Sequence, residues 1–121
     1  MAIQTQDETS PELKRRSKRV KARLPIIVRA QKLERGREPE KTVALIVNAH
    51  GALILLAMQV AVDEFVVVAN PKNEKELLCR ITHLGPNFMG KAEIGIEFIR
   101  PSPEFWALPD LPVDWRQPGK Q

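Results

Sequence analysis

A segment near the N-terminus that is dense in Lys and Arg is the first feature that could bind a charged partner. Residues 14–23, KRRSKRVKAR, hold seven Lys and Arg and no acid. Asp7, Glu8 and Glu12 precede this segment, and from Leu24 onward twelve basic residues balance twelve acidic ones, so the segment accounts for the positive excess of a chain whose net charge is +4. Unpaired charges are too costly to bury in a core. We therefore expect a basic arm that stays mobile until an anion orders it.

Several partners suit such an arm. An anionic ligand, a nucleic-acid phosphate backbone and a membrane surface all carry the complementary charge. A solvated tail that only aids solubility is the alternative. The charge alone does not decide between them.

A polar turn at residues 48–51 separates two apolar runs. Asn48, His50 and Gly51 follow TVALIV and precede ALILL. Asn-x-x-Gly is ordinary turn chemistry, because asparagine bonds to the backbone ahead of it and glycine tolerates a positive φ. The amide and the imidazole could equally contact a ligand, since each offers a donor and an acceptor. A turn and a ligand contact both stay open for this segment.

The chain shows none of the residue sets that covalent catalysis or a structural metal site requires. A nucleophile, a base and an orienting group must occur together, and no such set is recognisable. Cys79 is the single cysteine, which excludes an internal disulfide, and His50 and His83 are the two histidines. A four-ligand zinc site is therefore not expected. We predict a binding module that is not an enzyme and holds no metal, with Cys79 as a buried thiol.

Six short apolar runs, separated by Gly, Pro and polar residues, predict the framework that positions these groups. The predicted strands are residues 24–30, 42–48, 52–58, 65–69, 76–84 and 91–99. A helical period is almost absent. We therefore predict an all-β fold, a six-stranded antiparallel β-barrel whose closure removes exposed strand edges.

Alternation along the strands predicts which side chains face the core. The predicted inward residues are Val43, Leu45 and Val47 in the second strand, Cys79, Ile81 and His83 in the fifth, and Ala92, Ile94, Ile96 and Phe98 in the sixth. Residues 85–90, GPNFMG, are predicted to form the turn between the last two strands.

A tail rich in proline and tryptophan follows the last strand. Ser102 can cap a helix, Pro103 suits its first position and Pro109 would end it, so we predict one short C-terminal helix. The large aromatic residues of the tail are Phe105, Trp106 and Trp115. We expect them to close one end of the barrel or to pack on its outside, because aromatic side chains bury large areas.

The length of 121 residues is typical of one domain. We divide the chain into a disordered N-terminus at 1–13, the basic arm at 14–23, the barrel at 24–100 and the tail at 101–121. No apolar segment reaches the roughly 18 residues of a membrane span, and the first residues lack the pattern of a signal peptide. We expect a cytoplasmic protein without a membrane span.

Three motifs occur in an order that resembles the PilZ family, the bacterial receptor module for cyclic di-GMP. Arg15 and Arg19 form R-x-x-x-R before the first strand, N-A-H-G-A-L at 48–53 lies between two strands, and G-I-E-F at 95–98 forms the last strand. The resemblance covers residues 14–100. It implies a PilZ-type split β-barrel with a basic N-terminal arm.

The resemblance also implies which residues bind the ligand, with no further cofactor. Arg15 and Arg19 would embrace cyclic di-GMP, while Asn48 would read a guanine edge from the barrel rim. The secondary ligand-binding residues in this scheme are Arg16, His50 and Gly51. Guanidinium groups suit the ligand because they form forked hydrogen bonds to guanine and stack on purines. Two positions depart from the family pattern, since His50 replaces its serine and Leu53 its last glycine.

Three functions follow from these features. The first is a cyclic di-GMP-binding adaptor whose arm becomes ordered on binding and signals to a protein partner. The second is a diverged PilZ-type module that binds a protein and no dinucleotide, as His50 and Leu53 suggest. The third is a nucleic-acid-binding barrel, which is less favoured because the chain has no Tyr and few loop aromatics on which bases could stack.

Overall fold

The protein is an all-β, closed six-stranded antiparallel barrel. The computed structural model describes residues 18–31 and 38–108. The strands are β1 (Val20–Ala30), β2 (Glu40–Val47), β3 (Gly51–Leu56), β4 (Phe65–Asn70), β5 (Lys75–Phe88) and β6 (Lys91–Phe98). Around the barrel they follow the order β1-β2-β3-β6-β5-β4, and each neighbouring pair is antiparallel. The predicted fold class is confirmed.

Alternate residues of each strand fill the inside of the barrel. On β6, Ile94, Ile96 and Phe98 are buried whereas Glu93 is exposed, as the sequence predicts. The other strands contribute mainly small and β-branched residues, which suit a narrow interior. The fully buried members are Ile26, Val28, Ala44, Val47, Ile54, Leu56, Val66, Val68, Cys79 and Ile81.

The first strand begins inside the predicted basic arm. β1 starts at Val20, which pairs with Val47 of β2. Lys21 and Arg23 are exposed whereas Ala22 between them is half-buried, so this part of the basic run already has strand alternation. Arg19 is consequently attached directly to a paired strand. The rest of the predicted N-terminus and arm, including Arg15 and Arg16, lies outside the described residues.

A bulge in β2 changes the face predicted for that strand. Ala44 and Val47 are buried, whereas Val43 and Leu45 are only half-buried. Ala44 pairs with Ile54 and Ile46 with Leu53 of β3, so Leu45 is the extra residue. A bulge shifts the alternation by one position. The inward prediction was therefore right for Val47 and wrong for Val43 and Leu45.

A second bulge, in β5, corrects the prediction for His83. Cys79 and Ile81 are buried, but Thr82 and His83 are both exposed. Ile81 pairs with Ile96 and His83 with Gly95, so two steps along β5 match one step along β6. His83 therefore faces outward, against the sequence prediction.

The same strand is longer than predicted. β5 continues to Phe88 through a further register shift, and the turn contains Met89 and Gly90, whose φ angles are 56° and 89°. The predicted turn at 85–90 was wrong for residues 85–88, which belong to β5. Phe88 and Met89 are exposed at the tip of this hairpin.

The segment after β6 closes one end of the barrel. Phe105 and Trp106 are buried, and their rings lie 5.6 and 5.7 Å from the ring of Phe98, respectively. The side-chain amide of Asn70 donates a 2.7 Å hydrogen bond to the backbone oxygen of Phe105. We call Phe98, Phe105 and Trp106 the aromatic plug. The structural role predicted for Phe105 and Trp106 is confirmed, and Trp115 lies outside the described residues.

The described part of the tail forms turns instead of the predicted helix. Phe105 N donates to Ser102 O and Ala107 N to Glu104 O, both at 3.2 Å, which are single-turn hydrogen bonds. Ser102 N donates to Ala49 O at 2.9 Å, so this backbone is tied to the β2–β3 turn and does not continue a helix. In the part of the chain that the structure describes, no helix has the length and apolar character needed to cross a membrane.

The aromatic plug should be essential for stability. The indole Nε1 of Trp106 donates to Asn48 O at 3.0 Å. Trp106→Ala should lower the free energy of unfolding by about 3–5 kcal/mol, and Trp106→Phe by about 1–2 kcal/mol through loss of the buried hydrogen bond. Urea unfolding measures both. Phe88→Ala, at a side chain 74% exposed, is the matched control and should change little. A Trp106→Ala variant as stable as the wild type would contradict the assigned role.

Candidate functional site

An open pocket on the outer face of the barrel contains two of the predicted site residues. Its floor is a row of residues across β2, β3, β6 and β5. The members, each paired with the next, are Ile46, Leu53, Gly95 and His83. The pocket has a volume of about 430 Å³, within the roughly 300–1,000 Å³ that small-molecule sites usually have. Ile46 and Leu53 are half-buried, so the floor has an apolar centre.

Arg19 and Asn48 both line this pocket. Val20 pairs with Val47 in antiparallel strands, so Arg19, which precedes Val20, lies next to Asn48, which follows Val47. The structure thus brings together an arginine of the predicted R-x-x-x-R motif and the asparagine of the second motif. His50 and Gly51 are absent from the described lining of the pocket.

Asn48 holds the turn between β2 and β3. Its Oδ1 accepts hydrogen bonds from His50 N at 2.8 Å and Gly51 N at 2.9 Å, and its own backbone N donates to Gly51 O at 3.0 Å. Its backbone oxygen accepts the indole N–H of Trp106. Asn48 is 2% exposed. Oδ1 already accepts two hydrogen bonds within the turn. The amide Nδ2 is therefore the group of Asn48 that can donate a hydrogen bond to a ligand in the pocket.

Gly51 and His50 have backbone roles in the same turn. A Cβ on Gly51 would lie 2.1 Å from the backbone oxygen of Ile96, so only glycine allows β3 to approach β6 at this point. His50 O accepts a hydrogen bond from Phe98 N at 2.7 Å. The turn interpretation of residues 48–51 is confirmed. Ligand contacts by His50 and Gly51 stay a prediction, and Arg15 and Arg16 lie outside the described residues.

A paired arginine and glutamate form another side of the pocket. Arg80 of β5 donates to Glu97 of β6 at 2.7 Å and to Asp63 at 2.6 Å. The hydrogen bond to Glu97, followed by the one to Asp63, raises the pKa of Arg80 above its ordinary value, so the guanidinium stays charged. Arg80 and Glu97 line the pocket, whereas Asp63 is not among its described lining residues.

The side chain of His83 lies close to two glycines, Gly95 and Gly85. A Cβ on Gly95 would lie 3.0 Å from His83 Cβ, and a Cβ on Gly85 would lie 3.5 Å from His83 Nε2 and 2.7 Å from Glu93 O. Glycine at these positions therefore lets the bulged strand carry the imidazole against the outer surface. Gly95 is the glycine of the G-I-E-F motif, and in this chain its lack of a side chain leaves room for His83.

Sequence reasoning missed Arg80, His83 and Glu97 as pocket residues. Alternation places Arg80 and Glu97 on the outer face, but the β5–β6 register alone makes residues 17 positions apart neighbours. His83 was assigned to the wrong face because a bulge leaves no mark on a simple hydrophobic pattern.

Other reactive groups are few among residues 18–31 and 38–108. They contain no group of three or more His, Cys, Asp or Glu side chains placed to hold a metal ion. Burial raises the pKa of the Cys79 thiol to about 12. The thiol is therefore protonated near neutral pH and has little nucleophilic character.

Comparison with known proteins does not assign a family. No protein-family model matches the chain, and no curated protein matches it. The residues of the outer pocket are therefore the basis on which a function can be inferred.

Two substitutions at Asn48 should test the role of its side-chain oxygen in the turn. Asn48→Ala removes the acceptor of two backbone N–H groups, so we expect a loss of about 2–4 kcal/mol in the free energy of unfolding. Asn48→Asp keeps an acceptor oxygen for both N–H groups and should be destabilised less than Asn48→Ala, since aspartate forms the same turn. Thermal and urea unfolding of both variants provide the test. Equal destabilisation by Ala and Asp would contradict the role assigned to Oδ1.

Proposed function

We propose that this protein is a PilZ-type adaptor that binds cyclic di-GMP in the outer pocket. The supporting observation is that Arg19 and Asn48, which come from two separate motifs, line one pocket together with Gly95 of the third. The PilZ type of the barrel belongs to this proposal, as does a bacterial, cytoplasmic setting. Arg15 and Arg16 would complete the site from the arm.

The chemistry of the pocket suits parts of this ligand. Arg19 offers a charged fork to a phosphate or to guanine O6 and N7. The half-buried Ile46 and Leu53 provide an apolar floor against which a purine can lie. Asn48 Nδ2 can donate to a guanine or phosphate oxygen. Each forked or stacked contact contributes on the order of 1–3 kcal/mol, so a few of them support micromolar binding, about −8 kcal/mol.

The position of Arg19 next to a paired strand lowers the entropy cost of binding a ligand. Ordering a residue costs roughly 1–2 kcal/mol in backbone entropy. Arg19 adjoins β1, whose first residue Val20 is already paired with β2, so less entropy is lost when Arg19 engages a ligand. The arm before it would then fold onto the barrel, and its ordered form would be the signal that a protein partner recognises.

Titration calorimetry with cyclic di-GMP tests the proposal. We expect the wild type to saturate with a micromolar Kd and Arg19→Ala to bind at least about tenfold more weakly, a loss of 1.4 kcal/mol or more. Arg15→Ala should weaken binding in the same way. Arg29→Ala is the matched control, because Arg29 lies on β1 but pairs with Glu76 at 3.2 Å and is not among the described pocket residues.

Two outcomes would reject ligand binding in this pocket. One is the absence of heat and of saturation with the wild type at tens of micromolar dinucleotide. The other is equal affinity of Arg19→Ala and wild type. The first outcome would favour the second candidate function.

The second candidate is a protein-binding module without a dinucleotide ligand. It is favoured by the β5–β6 hairpin, where Phe88 is 74% and Met89 86% exposed. Phe88 and Met89 line a shallow groove of about 350 Å³ with Leu55 and Pro86. Exposed apolar side chains concentrated at one tip are typical of contact surfaces. Trp106, in contrast, is buried and is not available to a partner.

A paired substitution at the hairpin tip tests this candidate. Phe88→Ser with Met89→Ser should leave the melting temperature nearly unchanged, because both side chains are exposed. The wild type, immobilised and exposed to a lysate of the native cells, should retain a partner that the double variant loses, with or without cyclic di-GMP. Equal retention by both proteins would argue against the hairpin as the contact surface.

A further inference from the structure

The β5–β6 hairpin extends beyond the strands that flank it. β4 pairs with β5 as far as Arg80, and β3 pairs with β6 as far as Ala92. Phe88 and Lys91 pair with each other at the end of the hairpin and have no further strand partner among the described residues. We call residues 86–91 the hairpin tip. Because the tip is a two-stranded ribbon, another molecule can approach it from several sides.

Exposed apolar side chains are concentrated at and beside this tip. In the described ranges of the chain, five large hydrophobic side chains are exposed, and three of them lie between positions 84 and 89. They are Leu84, Phe88 and Met89, which are 45%, 74% and 86% exposed. Phe88 and Met89 also line the groove of about 350 Å³. Covering these groups would remove apolar surface from water, which favours association.

One charge of each sign borders the same groove. Lys91 and Glu93 are two residues apart on β6, so their side chains share one face of the sheet, and both line the groove. Lys91 Nζ donates to Glu40 Oε2 and to Thr42 Oγ1, both at 3.2 Å, which holds the ammonium group in place. Its side chain is still 37% exposed. Glu93 is exposed, and its carboxylate forms no ion pair with another described residue.

This combination of charges is complementary to itself. A two-fold axis that passes between Lys91 and Glu93 places the acid of each copy opposite the base of the other, while the apolar groups of the two copies meet. A strongly acidic or strongly basic protein surface would instead meet one like charge. An anionic lipid surface would be repelled by Glu93 for the same reason. A second copy of the chain is therefore the partner that the surface fits best.

We propose that the hairpin tips of two copies of this chain pack against each other about a two-fold axis. Phe88 of each copy enters the groove of the other beside Leu55, and the opposed charges of Lys91 and Glu93 flank the contact on both sides. The proposal rests on the second candidate function and deepens it, because it names the partner of the hairpin surface. It does not depend on the binding of a dinucleotide.

The contact is small, so the dimer is weak. A tip of this size buries less than the roughly 1,200 Å² at which standard interfaces begin, and we expect a Kd on the order of 100 μM. At the low micromolar concentrations used for unfolding experiments, the protein is therefore a monomer. A dimer of this strength forms where copies are held close together, because proximity raises their effective concentration.

Sedimentation velocity over a concentration series tests the proposal. Between about 10 μM and about 1 mM, the wild type should change from mostly monomer to mostly dimer. Phe88→Ser should raise the Kd at least about tenfold, because it removes the side chain that fills the groove. Glu93→Lys should raise the Kd about threefold or more, since two positive charges would then face each other.

Val62→Ser is the matched control. Val62 is 50% exposed on the β3–β4 connection and is not among the described groove residues, so this variant should keep the wild-type Kd. Melting temperatures close to that of the wild type at low concentration would verify that the variants fold.

An introduced cysteine locates the contact. Cys79 is buried, so Met89→Cys carries a single accessible thiol. Diamide, a mild oxidant, accepts two electrons and two protons from a pair of such thiols, which join as a disulfide. At a protein concentration of about 100 μM, Met89→Cys should form covalent dimers at least about tenfold faster than Val62→Cys, because only the tip brings two thiols together.

Several results would overturn the inference. They are a wild type that stays monomeric at about 1 mM, a Phe88→Ser variant that dimerises with the wild-type Kd, and equal cross-linking of Met89→Cys and Val62→Cys. If a monomeric wild type still retains a different protein through Phe88 and Met89, the second candidate function stands and the second copy is the wrong partner. Sedimentation of a monomeric wild type with phosphatidylglycerol vesicles, lost in Phe88→Ser, would assign the tip to a lipid surface. If the wild type neither dimerises nor retains a protein, the second candidate function and the inference both fail.

Discussion

The hydrogen bonds of Asn48 are the interaction on which both the fold and the site depend. Its side-chain oxygen holds the β2–β3 turn, and its backbone oxygen anchors the indole of Trp106 in the aromatic plug. Among the described residues, no fully buried side-chain nitrogen or oxygen lacks a hydrogen-bond partner. Networks of this kind are cooperative. Because Asn48 also lines the outer pocket, the turn that anchors the aromatic plug also contributes to the site.

The bulge between Ile81 and His83 in β5 shows how a small barrel presents polar groups without losing its core. A bulge moves one residue out of the regular alternation of a strand. In β5 the bulge places Thr82 and His83 on the outer face after the buried Ile81, and Gly95 provides the space for His83. Barrel closure determines where strands meet, and the bulges determine which side chains reach the surface there.

The pocket is lined by both positive and negative side chains, and hydrogen bonds connect some of them. Arg80 joins β5 to β6 through Glu97 and to the β3–β4 connection through Asp63. This loop is also held by backbone hydrogen bonds between Asp63 N and Ile81 O and between Ile81 N and Glu64 O, both at 2.8 Å. Charges of both signs in a pocket can orient a ligand as well as attract it. Arg19 supplies the positive charge at the other side, where the arm begins.

The sequence alone determined the six strands, the all-β class, the turn at 48–51 and the burial of Phe105 and Trp106, because each rests on local pattern: alternation, turn residues and aromatic area. Tertiary structure decided the meeting of Arg19 with Asn48, the pairing of Arg80 with Glu97, and the outward face of His83. These depend on strand register, barrel closure and bulges, which join residues far apart in the chain and leave no periodic signal in it.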